Sequence, residues 1–224
     1  MYWLAQSANA VPREQHWMSS AEIAALERMG IPKRRADWRL GRWTAKLAIA
    51  AHQHLSPAPE VLATIEVRPA TSGAPRAFVE GRPSPFPISL SHSEGMGFCA
   101  IVGAGTDVGC DIEKVMPHSR AFVDDYFTAE EREMVRSTPP SRRELFVALI
   151  WSGKESALKA LECGLRADTR AVTARPAGVA LRQGAAWRPL TVRHTGGRVF
   201  HGWWREDGGF VWTLLADRRS AEME

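Results

Sequence analysis

An α+β fold, with helices and antiparallel strands in each half of the chain, is predicted by three observations. Capping-box pairs, a Ser or Thr followed three residues later by Glu, occur at Ser19/Glu22, Thr128/Glu131 and Ser141/Glu144 and mark helix starts. Short apolar runs bounded by Gly and Pro lie between and beyond them, as antiparallel strands require. The 224 residues, 45% of them hydrophobic, suit one large domain or two small ones with a real core.

In chain order, Ser19 opens a short helix that Gly30 stops, and Ile31-Pro32 leads into a second helix from about Lys33 to His54. Ile65–Arg68, Ala77–Glu80 and Ile88–Ser91 read as short strands, with Pro83, Pro85 and Pro87 keeping the intervening stretch extended or turned. Gly97–Val102 is a strand and Gly103–Thr106 a turn, so the next strand, carrying Asp111 and Glu113, is expected to close a hairpin with it. Thr128 opens a helix that fades near Ser137, and Pro139-Pro140 breaks the chain. Ser141 is expected to cap a long helix running to about Cys163 and ended by Gly164. Strands follow near Ala171–Ala174, Val179–Arg182, Leu190–Arg193, Val199–Arg205 and Phe210–Ala216, the last two joined by the turn Asp207-Gly208-Gly209. The polar tail from Asp217 is expected to fray.

The net charge of +4 and pI near 9.2 are a mild excess, compatible with an anionic substrate or an acidic partner but not by themselves an argument for nucleic acid. No apolar run approaches the roughly 20 residues of a membrane span, and the first residues lack the pattern of a signal peptide. Cys99, Cys110 and Cys163 are widely spaced, with no CxxC pair, which argues against a zinc site or a disulfide framework and fits a reducing cytoplasm. The nine tryptophans read mostly as packing residues.

Two stretches carry the chemistry. In Val108-Gly109-Cys110-Asp111-Ile112-Glu113 a strand would put Asp111 and Glu113 on one face, with Gly109 leaving room there. In the run Trp151 to Ala160 a helix would align Trp151, Glu155 and Lys159 along one stripe. Either pair alone is as readily a solvated surface. Three acids and a lysine converging on one point would make a hard-cation site beside a phosphate. Separately, Arg35, Arg39, Arg42 and Lys46 fall within a fan of roughly 60° on the second helix. That fan is either a solvated basic face or a clamp for phosphate. Ser89-Leu90-Ser91-His92-Ser93 ends a strand with no acid placed to complete a hydrolase triad.

The order and spacing of these pieces resemble the 4′-phosphopantetheinyl transferases, specifically the larger, two-subdomain Sfp-type class. The resemblance implies two similar α/β subdomains, residues 1–105 and 106–224, related by a pseudo-two-fold with the active site between them. It implies transfer of 4′-phosphopantetheine from coenzyme A to a serine of an acyl- or peptidyl-carrier protein, with release of adenosine 3′,5′-bisphosphate. Asp111, Glu113 and Glu155 would hold Mg²⁺, with Mn²⁺ an alternative. Glu155 would take the serine proton, with Glu113 as second choice, and Lys159 would stabilise the leaving group. Lys154 is left as a surface or phosphate contact.

By the same resemblance Arg35, Arg39, Arg42, Lys46, Ser91 and His92 would bind coenzyme A. The family often has Gly-Lys-Pro upstream of the Ser-His-Ser element; Gly73-Ala74-Pro75 replaces the lysine with Ala74, leaving Arg76 to supply that contact. The segment Lys114 to Phe127, with Met116, Pro117, Phe122, Val123 and Tyr126, would receive the carrier, or pack inward. A monomer in the cytoplasm, acting on neither nucleic acid nor membrane, completes the expectation. Two other readings stay open: a metal-dependent phosphodiesterase or nuclease, and a non-catalytic coenzyme A-binding module. The adjacent Glu113 and Lys114 face opposite sides of a strand, which argues against the first.

Overall fold

Each half of the chain lays one long helix across an antiparallel sheet. The computed structural model describes residues 1–164, 167–177 and 186–218, and the chain divides into two compact units, Met1–Thr106 and Asp107–Glu224.

The first unit runs β1 (Tyr2–Ser7), α1 (Ser20–Glu27), α2 (Pro32–His52), α3 (Pro59–Thr64), β2 (Ile65–Pro69), β3 (Pro75–Val79), β4 (Arg82–Pro83), β5 (Ile88–Ser93) and β6 (Met96–Ile101). Its strands are ordered β1-β6-β5 and β2-β3-β4. Pro32 starts α2 with its φ already helical and no N–H to satisfy. Ala45, Ala48 and Ile49 of α2 are buried with Trp17, Leu26, Leu62, Ile65, Cys99 and Ile101. Glu94 and Gly95, both at positive φ (44° and 76°), make the tight turn joining β5 to β6.

The second unit runs β7 (Thr106–Lys114), α4 (Arg120–Tyr126), α5 (Ala129–Ser137), α6 (Arg143–Ala160), β8 (Val172–Pro176), β9 (Arg188–His194), β10 (Val199–Asp207) and β11 (Phe210–Arg218), in the sheet order β7-β11-β10-β9-β8. Gly208 and Gly209 (φ 60° and 75°) form the hairpin turn between β10 and β11, as their sequence predicts. Helix α6 is buried along most of its length, against Val172, Leu190, Val192, Phe200, Trp204, Val211 and Leu215.

The halves repeat one plan. Strand, capping-box helix, long helix, then strands: β1, α1, α2, β2, β3, β5 and β6 are matched in order by β7, α5, α6, β8, β9, β10 and β11, and in both sheets the first strand lies beside the last. A polar feature repeats with it. The capping-box Glu22 pairs with Lys46 of α2 at 2.5 Å, and the capping-box Glu131 pairs with Lys154 of α6 at 2.6 Å.

Several expectations are corrected. The first residues, where the sequence predicts no element, form a strand, Tyr2 facing Ile101 across β1 and β6. With β1 on one side and β5 on the other, β6 has both edges filled, so the strand of Asp111 makes no hairpin with it and instead lies beside β11. Ser141 caps nothing. A 3₁₀ turn over Pro140–Arg142, closed by Arg142 N–H to Pro139 O, precedes α6, whose N-cap is Arg142. The helix ends at Ala160, where Glu162 at φ 55° allows its N–H to reach Lys159 O and the Cys163 N–H to reach Leu158 O, a Schellman closure ahead of Gly164. Asp217 is held in β11 by Arg198 at 3.0 Å. The strand expected at Val179–Arg182 and the tail beyond residue 218 lie outside the described residues. Among the described residues, no helix is long and apolar enough to cross a membrane.

Candidate active site

Glycine at position 109 sets the geometry of the site. A Cβ there would stand 1.7 Å from the carbonyl oxygen of Ser156, so β7 and α6 meet backbone to backbone as only glycine permits. The strand's alternation then turns Asp111 and Glu113 toward the same helix, beneath the stripe of Trp151, Glu155 and Lys159.

The side chains meet as the spacing predicts. Lys159 Nζ lies 2.7 Å from Asp111 Oδ1 and 3.6 Å from Glu155 Oε2, and donates to Cys110 O at 3.2 Å. Trp151 Nε1 donates to Glu113 Oε1 at 3.1 Å. Asp111 is 1% exposed, whereas Glu113 and Glu155 are partly open. Burial, then the charges of Asp111 and Glu155, push the Glu113 carboxyl up to about 8, against the opposing pull of the Trp151 hydrogen bond and Lys159. Burial and Asp111 raise Glu155 to about 7. Burial pulls the Lys159 ammonium down, but Asp111 and Glu155 outweigh it and its pKa is raised. The crowding of three carboxyls around one cation is thus met by holding protons on Glu113 and Glu155.

That donor set, three carboxylates in partial burial, suits a hard cation. In the present arrangement no three His, Cys, Asp or Glu side chains among the described residues stand together as metal ligands. The Lys159 ammonium bridges Asp111 and Glu155 in their place, and Glu113 is turned to Trp151.

The basic fan on α2 resolves differently. Lys46 is fully buried and gives its donors to Glu22, Trp17 O and Leu62 O, the last two at 3.0 Å, so it is a structural cation and not the phosphate contact expected. Arg35 donates to Leu26 O and Met29 O (2.9 and 3.1 Å) at the end of α1, where free carbonyls attract a cation. Arg39 holds the carbonyls of Pro12 and Arg13. Arg42 stacks on Trp38, 4.6 Å from the ring centre, and lies 3.8 Å from Glu22. Sequence reasoning saw Glu22 only as a cap and missed it as the anchor of this fan; the signal available was an acid one turn into a helix whose neighbour carries surplus cations. Ser91 and His92 lie near the C-terminal end of β5 beside a cleft of about 270 Å³ that Trp38, Gly41, Arg68 and Pro75 also line. Arg76 sits on β3 opposite Arg68.

Lys154 is likewise fully buried, not at the surface. The segment after Lys114 is not a plain loop. Ser119 caps α4, Phe127 is buried, and Phe122 and Tyr126 pack their rings 5.0 and 5.3 Å from Trp151. Met116 and Tyr126 remain exposed. Beside α4 a groove of about 730 Å³ has Val123, Val135 and Val147 among its lining and Arg120, Arg132, Arg136 and Arg143 around them.

Residues 107–208, which include Asp111, Glu113, Trp151, Glu155 and Lys159, match the family model of the 4′-phosphopantetheinyl transferase superfamily. The chain is 35% identical over 107 residues to the 4′-phosphopantetheinyl transferase psf-1 of Bacillus pumilus, a match covering 47% of this chain and 44% of that protein. The chain therefore spans less than half the length of this curated relative. A solved structure, the holo-acyl-carrier-protein synthase of Thermotoga maritima, is similar over 49% of this chain and 61% of its own, at 20% identity and a TM-score of 0.36.

Proposed function

We propose that this chain, whose residues 107–208 match the family model of the 4′-phosphopantetheinyl transferase superfamily, moves 4′-phosphopantetheine from coenzyme A to a serine of an acyl- or peptidyl-carrier protein. The observation that carries the reading is the pairing of Lys159 with Asp111 and Glu155, with Glu113 held beside them by Trp151, inside the matched segment. In the reaction the serine oxygen bonds to the β-phosphorus and the bond to adenosine 3′,5′-bisphosphate breaks. Glu155, with a carboxyl titrating near 7, takes the serine proton at neutral pH. Lys159 keeps its charge and donates to the phosphate oxygens as charge develops on the leaving group.

Asp111, Glu113 and Glu155 would hold Mg²⁺ or Mn²⁺, with Lys159 swinging toward the phosphate and Glu113 leaving Trp151. Such an ion would neutralise phosphate charge. Ser91, His92 and Arg76 are assigned to the nucleotide end of coenzyme A, and the groove with its valines and arginines suits an acidic carrier helix. The enzyme acts as a cytoplasmic monomer on this reading.

The test is intact-protein mass spectrometry of an apo carrier incubated with this chain, coenzyme A and Mg²⁺. A phosphopantetheine mass gain that disappears with EDTA is expected. No gain on fatty-acid, polyketide or peptidyl carriers would defeat the reading.

A further inference from the structure

Lys154 adjoins Glu155 in sequence yet points away from the carboxylate cluster, into the core. Its ammonium lies 2.6 Å from Glu131 Oε2 and donates to Val172 O at 2.7 Å. Glu131 in turn accepts from Thr128 N–H and Ala174 N–H, both at 2.8 Å. Both side chains are wholly buried. One ion pair therefore joins three elements: the start of α5, the middle of α6 and strand β8.

Such a pair is a poor stabiliser. Stripping water from two charges costs about as much as their attraction returns, and apolar replacements of similar volume are often neutral or better. What it does supply is direction, because all four contacts are hydrogen bonds of fixed geometry. The other sides of α6 are pinned as well. Ser152 and Ser156 bond the Thr213 hydroxyl of β11 at 2.8 and 2.7 Å, and Gly109 of β7 abuts Ser156 O. A helix held on these sides cannot rotate, and its remaining stripe, Trp151, Glu155 and Lys159, is the one facing Asp111. The matching pair Glu22–Lys46 orients α2 in the first unit, so the device belongs to the repeated plan and in the second unit acts on the helix that carries the chemistry.

We infer that Glu131 and Lys154 are positioning residues for the transfer reaction: their buried, directional pair sets the rotation of α6 and so the placement of Glu155 and Lys159 against Asp111. The inference rests on the proposed transferase reading.

The experiment compares wild type, Glu131→Gln and the double variant Glu131→Leu/Lys154→Met. Each is read by thermal unfolding, by kcat and KM for coenzyme A in carrier transfer, and by amide hydrogen exchange along residues 151–159. The double variant leaves no charge unpaired but strips Thr128 N–H, Ala174 N–H and Val172 O of their partners, so a lowered Tm is expected, while kcat falls about 10- to 100-fold, as a misplacement near 1 Å produces. KM for coenzyme A should stay within about twofold, and exchange along 151–159 should quicken. Glu131→Gln, which keeps the side chain's shape but removes the counter-charge of Lys154, should lose Tm as well as kcat and, folded at low temperature, serves if the double variant does not fold. Wild-type kcat and exchange in either folded variant would reduce the pair to ordinary core and overturn the inference. A wild-type chain that transfers nothing would instead defeat the transferase reading; the exchange comparison would still decide whether the pair orients α6.

Discussion

Lys159 Nζ stands 2.7 Å from Asp111 Oδ1, joining the helix that carries the candidate base to the strand that carries two of the candidate metal ligands. The contact makes Asp111 the partner of a largely shielded cation. Asp111→Asn keeps the shape and removes the charge, so coenzyme A-dependent transfer should vanish while the fold survives with a lower Tm. Wild-type transfer in this variant would remove Asp111 from the chemistry.

The raised carboxyls set a pH signature. Glu113 at about 8 and Glu155 at about 7 hold protons in the folded state that the unfolded chain, titrating near 4.5, has already released. The folded state binds more protons between those limits, so metal-free stability should fall as pH rises from about 4.5 to 8. Urea denaturation across that range checks it, and Glu113→Gln should flatten the slope.

The same titration bears on rate. If Glu155 takes the serine proton, transfer should climb with pH through about 7 and level off above it. Mg²⁺ at saturation should move the rise to lower pH, because a bound cation favours the ionised carboxylate.

Gly109→Ala would push a methyl group into Ser156 O, a backbone atom that cannot swing aside. We expect a loss of about 1–3 kcal/mol in urea denaturation, typical of an overpacked contact, and a fall in transfer as Asp111 is displaced from α6.

Two residues that the family resemblance gives together to coenzyme A should separate. Lys46→Met removes the nearer cation of the buried Glu22, leaving Arg42 at 3.8 Å, and should cost about 2–3 kcal/mol of stability, less than a fully unpaired buried charge. His92→Ala, at an exposed position beside the first unit's cleft, should leave stability unchanged and weaken coenzyme A binding, measured by calorimetry. Equal effects on binding in folded samples of both would restore Lys46 to the ligand.

Much of the carboxylate cluster was legible because its geometry is local. Strand alternation alone puts Asp111 and Glu113 on one face, and helical period alone aligns Trp151, Glu155 and Lys159; only the pairing of the two elements had to be supplied. The basic fan shows the limit. Its helical alignment was readable, but periodicity does not say what faces a stripe, and the answer for Lys46 was a glutamate 24 residues earlier with two backbone carbonyls. The hairpin expected between β6 and β7 failed for a related reason: adjacency in sequence favours pairing only while an edge is free, and β1, a strand 90-odd residues upstream, had taken it.

By itself the sequence determined the α+β class, two of the three expected capping boxes, the glycine turn of β10–β11 and the residues of the acid cluster, since each depends on backbone preferences or periodicities that act within a few residues. The tertiary structure alone decided strand order, the burial of Lys46 and Lys154, the protonation of Glu113 and Glu155, and the contact of Gly109 with α6. Those depend on which distant groups are brought together and how much water is removed between them, quantities that no local pattern encodes.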